Sequence, residues 1–193
     1  MIDFGVIANR LKRQKELDAD SELIRQTLNG NSRSFNQLVE RYQHQIYCFI
    51  LKHVPSEKAE DLAQDTFISA YESLEQFRGD STFSTWLYGI AMNKVRNHLS
   101  RAPEHRYKYV SADFLLERQS RESSPLERVE QTLQLTYLLD RLPPDLKEVI
   151  IFVSLEGLSY KETAEAMGLP VGTVRSKVFR ARQLLKEFVK ESE

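Results

Sequence analysis

The chain has 193 residues, of which 41% are hydrophobic and 28% are charged, and its formal net charge is −1. This composition is typical of a globular protein with one domain or two small ones, and it excludes a chain that attracts nucleic acid through a large overall positive charge. The charge is segregated instead: residues 55–80 hold seven acids and two bases, whereas residues 171–190 hold six bases and one acid, which indicates two partners of opposite charge.

The sequence predicts no targeting or membrane segment. Residues 1–20 lack a long apolar core and a small-residue cleavage site, and no apolar run approaches the length of a membrane span. We therefore expect a cytoplasmic protein without direct membrane insertion. Cys48 is the single cysteine, so an internal disulfide is impossible. Because alternating strand patterns are lacking, the predicted fold is all-α.

The first predicted domain covers residues 21–101 and follows a leader at residues 1–20. Ser21, with Glu22 behind it, is expected to cap a first helix that ends at Leu28, before the turn signal Asn-Gly-Asn. A second helix is marked by an apolar stripe and ends before Pro55. The stripe consists of Phe35, Leu38, Val39, Tyr42, Ile46, Phe49 and Ile50.

A third helix begins at Ser56 and carries acidic residues in its first turns, where they complement the helix dipole. Its predicted inward face is formed by Ala63, Phe67, Tyr71 and Leu74. Its outward face carries Asp61, Gln64, Asp65 and Glu72. This face is either an ordinary solvated acidic surface or a docking surface for a basic helical partner.

A polar loop, residues 77–82, precedes a helix predicted over residues 83–100. The helix has an apolar side and a polar stripe of Asn93, Arg96, Asn97 and Ser100. Aromatic residues beside a basic stripe suit single-stranded nucleic acid, because bases stack on rings while cations neutralise phosphates. The alternative is that Phe83 and Trp86 are core residues, and we expect Trp86 to be largely core.

Residues 102–125 lack a sustained stripe, contain Pro103 and Pro125, and are predicted to be a flexible linker. The second predicted domain, residues 126–193, begins with a helix that ends at Pro143 and Pro144. Its apolar positions are Leu126, Val129, Leu133, Tyr137 and Leu142. The next helix is built on Leu146, Val149, Ile150 and Val153 and stops at Gly157.

The last two helices form a helix-turn-helix pattern. Ser159 and Glu162 have the spacing of a capping box, Gly168 supplies a helix stop, and Pro170 suits the start of another helix. The final helix buries a stripe of Val174, Val178, Ala181, Leu185 and Phe188. A basic helix after a short turn is typical of a reader of the DNA major groove. The alternative is a solvated basic face on an ordinary helical hairpin.

Four sequence blocks together resemble the small extracytoplasmic-function (ECF) sigma subunits of bacterial RNA polymerase, in particular the envelope-stress, RpoE-like branch. The resemblance runs from about Ser21 to Phe188. The most specific block contains AEDLAQDTF and FSTWLYGIA, within Ala59–Leu99. The other three are FNQLVERYQHQIY at Phe35–Tyr47, LPPDLKEVIIF at Leu142–Phe152, and the helix-turn-helix block at Leu155–Leu185.

The resemblance implies that residues 21–101 are sigma region 2 and residues 126–193 are sigma region 4. Region 2 would bind the clamp helices of the polymerase beta-prime subunit through Glu60, Asp61, Gln64, Asp65, Phe67 and Glu72. Region 2 would also melt and read the promoter −10 element. The residues implied for that role are Arg78, Ser81, Phe83, Trp86, Asn93, Arg96 and Asn97.

Region 4 would read the duplex −35 element. The residues implied for this role are Thr173, Arg175, Ser176, Lys177, Phe179 and Arg180. The resemblance further implies contact with the polymerase beta flap, binding of double- and single-stranded promoter DNA, and control by an anti-sigma factor. Whether that partner is membrane-anchored is left open. A sigma subunit is not an enzyme and needs no cofactor.

Two other functions use some of the same features. A helix-turn-helix regulator that is not a polymerase subunit would need neither the acidic face nor the FSTWLYGIA block. A sigma mimic would sequester an anti-sigma factor without touching DNA, but no receiver-like alternation of strands and helices accompanies this chain. His44 and Cys48 have i, i+4 spacing with His53 nearby, yet no third and fourth ligands follow at suitable spacing, so no metal site is predicted.

Overall fold

The computed structural model describes residues 19–101 and 134–191, and the described residues form helices and turns without a strand. Most of the predicted leader, the predicted linker at residues 102–125 and the start of the following helix lie outside these ranges. In the first half, helix α1 is described over residues 19–28, followed by α2 (Ser32–Leu51), α3 (Ser56–Glu72) and α4 (Phe83–Arg101). A short 3₁₀ turn, Leu74–Gln76, lies between α3 and α4.

The second half contains four described helices. Helix α5 is described over residues 134–140, and α6 spans Pro144–Ile150 and continues as a π-helical turn over Ile151–Leu155. Helices α7 (Tyr160–Met167) and α8 (Val171–Lys190) form the helix-turn-helix. None of the described helices combines the length and the apolar character that crossing a bilayer requires.

The first half folds because the apolar stripes of α2, α3 and α4 meet in a common core. Leu38, Phe49, Leu87 and Met92 are fully buried there. Two predictions for this half are wrong. Ser21 lies inside α1 and does not cap it, and Tyr71 is 49% exposed, with its ring meeting the edge of Phe35 only at the rim of the core.

The helix-turn-helix confirms the predicted local signals. The Ser159 side chain accepts a hydrogen bond from the Glu162 amide, and the Glu162 carboxylate accepts one from the Ser159 amide at 2.9 Å. Gly168 ends α7 in the left-handed conformation, with φ of 65°, which glycine adopts without a Cβ penalty. On α8 the predicted stripe is buried at Val174, Val178 and Ala181, and Leu185 and Phe188 are half-buried below it.

Tyr137 departs from its predicted place. The pattern puts it on the buried side of the helix before Pro143, but its side chain is 59% exposed. The Arg141 guanidinium lies 5.8 Å from the Tyr137 ring centroid and 4.0 Å from that of Phe188. The helix thus turns a neighbouring face to the core, where Leu139 and Leu142 are buried against Ala181.

The two halves pack against each other, an arrangement that the sequence patterns did not predict. One apolar cluster includes residues of both halves, and the Phe49 and Phe152 rings meet with their centroids 5.1 Å apart. Helices α4 and α7 cross closely at Gly89, where an added Cβ would lie 3.1 Å from the carbonyl oxygen of Ala166. The described part of the chain is therefore one closed body.

Candidate nucleic-acid and partner interfaces

The outward face of α3 is an acidic surface. The amphipathic pattern of this helix buries Ala63 and Phe67 and leaves the carboxylates in water. The predicted partner-binding side chains that are exposed on it are Glu60, Asp61, Gln64, Asp65 and Glu72. Phe67, the sixth predicted residue, is 8% exposed and belongs to the core.

An open groove of about 730 Å³ runs between α2 and α3 beside this acidic surface. Its lining residues are Val39, Gln43, His44, Tyr47, Glu60, Ala63, Gln64, Phe67 and Ile68. Ile68 is 56% exposed, a large apolar side chain among acids. Sequence analysis missed it, although its position just off the buried stripe was a usable signal. Groove and acids together suit a partner helix with both apolar and basic residues.

The loop before α4 is exposed at its tip and anchored at both ends. Gly79 has φ of 75°, and Arg78 and Asp80 beside it are exposed. At its end Thr82 Oγ1 accepts a hydrogen bond from the Thr85 amide at 3.0 Å, which satisfies a free donor at the start of α4. Sequence analysis did not identify Thr82, although threonine before an apolar helix is a common N-cap.

An aromatic cluster supports this loop from below. Phe83 is 1% exposed, and its ring lies 5.7 Å from Trp86, 5.7 Å from Tyr42 and 5.9 Å from Phe77, measured between centroids. Phe83 therefore packs in the core, which was the alternative interpretation of the sequence. Trp86 is half-buried, so it both packs and keeps one side at the surface.

The polar stripe of α4 faces the second half of the chain. Asn93 and Asn97 are exposed, whereas Arg96 is ion-paired with Glu148 of α6, with Nη2 and Oε2 2.8 Å apart. A pocket of about 310 Å³ lies where α4 meets α7. Its lining residues are Ser81, Thr85, Trp86, Gly89, Ile90, Asn93, Glu165, Ala166, Met167 and Gly168. The structure thus brings together three of the predicted −10 residues, Ser81, Trp86 and Asn93, beside α7. Arg78 and Asn97 are exposed outside this pocket.

The basic face of α8 is open to solvent. Arg175, Ser176, Phe179 and Arg180 are exposed, and Thr173 is half-buried. Phe179 is 67% exposed, which is unusual for a ring of its size and suits contact with a base edge or a thymine methyl group. This surface has the form of a recognition helix that lies free for a major groove.

Among the predicted −35 residues of α8, Lys177 forms an ion pair within the chain. Its ammonium group binds the carboxylate of Asp145 at the start of α6. The hydrogen bond from Lys177 lowers the pKa of Asp145 below its ordinary value. Because the Asp145 side chain is 58% exposed, the pair is worth little and can exchange for a phosphate.

A buried polar network joins the two halves, and sequence analysis missed it. Glu156 accepts from the Lys52 ammonium and, at 2.5 Å, from the Tyr88 hydroxyl, and Gln45 donates to the Tyr88 oxygen at 2.7 Å. The Lys52 side chain is 1% exposed and that of Glu156 is 7% exposed. Buried charges of this kind are paired because desolvation is otherwise costly.

His53 lies beside this network and is neutral. Burial lowers its pKa to about 3, and the nearby positive charges of Lys147, Lys52 and Arg96 lower it further in the same direction. Its Nε2 atom has no hydrogen-bond partner among the described residues. The Phe49 ring meets the imidazole at 5.0 Å between centroids. His53 is therefore a packing residue rather than a ligand.

The histidine–cysteine pair that the sequence analysis considered, His44 and Cys48, is a contact within one helix. His44 Nε2 lies 3.5 Å from Cys48 Sγ, as their i, i+4 spacing on α2 requires. Within residues 19–101 and 134–191, no group of three or more potential metal ligands lies together. Cys48 is buried against Leu139, Leu142 and Ile150 of the second half.

Comparison with family models divides the chain as its two helical halves do. The sigma-70 region 2 model matches residues 38–103, and the sigma-70 region 4 model matches residues 132–185. Among curated proteins, the RNA polymerase sigma-H factor of Pseudomonas aeruginosa is 39% identical over 180 residues, which cover 87% of this chain and 92% of that protein. The ECF RNA polymerase sigma-E factor of Escherichia coli K12 is 39% identical over 175 residues, which cover 86% of this chain and 92% of that protein.

Two solved structures share the fold over most of the chain. CnrH in complex with the cytosolic domain of CnrY is similar with a TM-score of 0.67 and 28% identity, covering 91% of this chain and 99% of that one. The sigma factor RpoE in complex with the anti-sigma factor NepR from Bartonella quintana is similar with a TM-score of 0.63 and 24% identity, and the match covers 82% of this chain and 98% of that one. At this identity the likeness shows the fold alone.

Proposed function

Since the chain belongs to the extracytoplasmic-function family of RNA polymerase sigma factors, we propose that it binds core RNA polymerase and directs the enzyme to a specific set of promoters. The observation that carries this proposal is the presence of both sigma regions in one chain, with an acidic surface on the first and a free basic recognition helix on the second. Each surface suits one of the two partners, polymerase and promoter DNA.

The acidic surface of α3 and the groove beside it are the proposed polymerase site. Glu60, Asp61 and Asp65 are solvent-exposed, so they attract a basic partner from a distance and then lose little on pairing. Ile68 and the groove floor supply apolar contact area. A basic, amphipathic clamp helix of the beta-prime subunit is the occupant that the family implies.

Helix α8 is the proposed reader of the −35 duplex. Arg175 and Ser176 lie near the N-terminal end of the helix, the end that enters the groove, and off the buried stripe. Arg180 and Phe179 follow one turn later. Arginine can pair bidentately with guanine, whereas the ring of Phe179 suits a thymine methyl group.

Melting of the −10 element is assigned to the loop before α4. An unstacked base costs a few kcal/mol and must be held by protein groups that compensate for lost pairing. Because Phe83 is buried, this task falls on exposed Arg78, on Ser81 and on the open side of Trp86. Asn93, Arg96 and Asn97 would then line the adjacent duplex edge.

This function contains no catalytic step, because the polymerase supplies the chemistry and the sigma subunit supplies promoter specificity. We place it in the cytoplasm, where the polymerase acts, and under the control of an anti-sigma factor, the kind of partner with which the RpoE factor of similar fold was solved. A stress or envelope response is the process that the resemblance to the RpoE-like branch implies. A regulator that lacks polymerase binding would not need the region 2 half that this chain contains.

Transcription by a reconstituted holoenzyme tests the proposal. The chain is mixed with core polymerase and a library of genomic fragments, and promoter-specific transcripts are mapped. We expect transcripts that depend on the added chain and share −10 and −35 sequences. If the chain binds DNA but leaves the transcripts of core polymerase unchanged, it acts as a regulator and not as a sigma subunit.

The polymerase site has its own test. Asp61→Lys with Asp65→Lys reverses the acidic surface, and we expect a loss of affinity for core polymerase of at least tenfold, with helicity unchanged in circular dichroism. Glu40→Lys with Glu75→Lys makes the same change in net charge at exposed positions outside this surface and should leave binding to core polymerase, measured without DNA, near the wild-type value. Equal affinities of the two double variants would contradict the assignment.

A further inference from the structure

Asp20 is a buried carboxylate at the start of α1 that belongs to none of the proposed binding surfaces. Only 3% of the residue is exposed. One of its carboxylate oxygens accepts a hydrogen bond from the Arg41 guanidinium and the other from the Tyr42 hydroxyl, both on α2. A carboxylate that is removed from water is costly unless it is paired, and here each oxygen has a donor. The arrangement therefore holds the Tyr42 hydroxyl at one point.

The Tyr42 ring transmits this constraint to α4. Its centroid lies 5.7 Å from that of Phe83, the first residue of α4, and the two ring planes are inclined at 54°. Tyr42 is half-buried, so its ring packs in the cluster while its hydroxyl binds the carboxylate. A hydrogen bond from a hydroxyl to an ionised carboxylate is among the stronger ones in proteins. The carboxylate thus adds a directional constraint on the ring that touches Phe83.

Phe83 in turn closes the stem of the loop before α4. The exposed loop tip, residues 78–80, lies between Phe77 and Phe83, whose rings meet edge to face with their centroids 5.9 Å apart. Trp86 packs on both rings, 5.2 Å from Phe77 and 5.7 Å from Phe83. Arg78 and Trp86, which are assigned to an unstacked base, are therefore attached to a stem whose geometry depends on where the Phe83 ring lies.

A second polar tie between α1 and α2 is made by other residues. The Ser34 hydroxyl of α2 donates to the Gln26 side chain of α1 at 2.7 Å, and Ser34 is 1% exposed. Leu23 and Ile24 of α1 add apolar contacts with the common core. Attachment of α1 therefore does not rest on Asp20 alone, and the two ties can be broken separately.

We propose that Asp20 is a positioning residue for the loop before α4. By holding Tyr42 it fixes Phe83 and with it the stem of the loop. The stem then presents Arg78 and Trp86 to an unstacked base. This inference rests on the proposed function for the role of the loop in melting the −10 element. A loop that captures a base gains from being preformed, because ordering it during binding would cost free energy.

Fluorescence of the full chain tests the link from Asp20 to the aromatic cluster, because the single tryptophan, Trp86, lies in that cluster. Asp20→Ala should shift the Trp86 emission to longer wavelength and increase its quenching by acrylamide, since a displaced Phe83 exposes more of the indole. Ser34→Ala is the matched control. It breaks the other tie between α1 and α2 and should leave both signals at the wild-type values, with helicity unchanged in circular dichroism.

Promoter opening by the reconstituted holoenzyme tests the link from the cluster to function. The probe is a promoter identified by the transcript mapping, and opening is followed by permanganate oxidation of unpaired thymines in the −10 element. Asp20→Ala should slow opening about tenfold, the size of effect expected when a hydrogen bond to a charged group is lost. Affinities for core polymerase and for duplex DNA that carries the −35 element should stay near the wild-type values, because the surfaces of α3 and α8 are unchanged.

Tyr42→Phe identifies the route, because it removes only the hydroxyl. It should reproduce the fluorescence change and the slower opening of Asp20→Ala, and the double variant should be no slower than either single variant. Losses that multiply in the double variant would show that Asp20 does not act through Tyr42, and they would overturn the proposal. If Asp20→Ala loses helicity, the milder Tyr42→Phe variant decides the same question by itself.

This inference and the proposed function fail in different ways. If Asp20→Ala and Tyr42→Phe leave the Trp86 fluorescence unchanged, or open promoters as fast as Ser34→Ala, Asp20 only attaches α1 and the inference is overturned. The wild-type holoenzyme still opens promoters in that case, so the proposed function stands. If the wild-type holoenzyme opens no promoter, the proposed function fails, and the role given to the loop fails with it.

Discussion

The two helices that are proposed to contact DNA differ in how much of their polar surface the free protein leaves exposed. Helix α8 presents Arg175, Phe179 and Arg180 to solvent on a helix whose opposite side is firmly packed at Val174 and Val178. Helix α4 also carries a polar stripe, but its Arg96 is ion-paired with Glu148 and one side of Trp86 lies in the pocket against α7, while Asn93 and Asn97 stay exposed.

This difference matches the kinds of DNA that the two helices are proposed to bind. Duplex DNA is available at any time, and a rigid, preformed helix reads it at low cost in entropy. Single-stranded DNA exists at a promoter only after melting, so a surface for it is useful only at that stage. The packing of α7 against α4 and the exposure of α8 therefore fit two proposed readings that occur at different steps. The predictions below test this contrast, beginning with the largest expected effect.

Removal of the Phe49 ring should cause the largest loss of stability. Phe49 is fully buried, and its ring contacts Tyr88 of α4 at 4.9 Å and Phe152 of the second half at 5.1 Å between centroids. Phe49→Ala should cost about 3–5 kcal/mol in the free energy of unfolding, since truncation of a buried ring leaves a cavity. Urea denaturation measures this cost.

Phe179→Ala is the matched control for that variant. The same truncation on the exposed face of α8 should change stability by no more than about 0.5 kcal/mol, because the ring is 67% exposed. The Phe179→Ala variant should instead have a lower affinity for duplex DNA that carries the −35 element. If both phenylalanine variants lose similar stability, the contrast between a packed helix and a presented helix is wrong.

Arg175→Ala tests base reading on the exposed helix. Loss of a bidentate base contact should cost about 1–3 kcal/mol and relax the preference at one position of the −35 element. The measurement is transcription from a promoter library randomised across that element. A uniform loss of signal with an unchanged preferred sequence would show that Arg175 contacts only the backbone, and base reading would then rest on Ser176, Phe179 and Arg180 or on DNA shape.

His53 should make the stability of the packed protein dependent on pH. Its pKa is about 3 in the folded chain and about 6.5 when exposed, so only the unfolded chain binds this proton between these values. The contribution is fully present above pH 6.5, and it falls by about 1.4 kcal/mol for each pH unit below that. Urea denaturation at pH 7, 6 and 5 measures the slope.

His53→Leu supplies the comparison for that slope. Leucine fills a similar apolar site without a titrating group, so its slope from pH 6.5 to 5 should be smaller by most of the His53 contribution. The lowered pKa of Asp145 acts below the ordinary aspartate range and does not interfere in this window. Parallel stability curves for the two proteins would mean that His53 is accessible to protons in the folded state.

Lys186→Ala should give the smallest effect. Lys186 is exposed on α8, six residues beyond Arg180, where flanking phosphates would run. Its loss should weaken binding almost equally on all sequences and reduce the slope of log affinity against log salt by about 0.9. Binding titrations at several salt concentrations measure this slope. A change in sequence preference with an unchanged salt slope would move Lys186 into the base-reading set.

The boundary between sequence and tertiary information is clear in the helix-turn-helix. Ser159, Glu162 and Gly168 were identified from spacing alone, because caps and stops are made by groups within a few residues of each other. The buried stripe of α8 was equally accessible, since helical periodicity fixes which side chains share a face. Where packing competes with periodicity, at Tyr71 and Tyr137, the same pattern failed.

The buried Lys52–Glu156 pair and the packing of α7 against α4 were decided only by tertiary structure. Lys52 and Glu156 are 104 residues apart, and each stands at a helix end, where a charged residue is ordinarily exposed. Periodicity tells which face of a helix must be buried but not which other face will cover it. The pairing of α4 with α7 depends on the absence of a side chain at Gly89 and on the match of one carboxylate to two distant donors, and neither property can be seen along the chain.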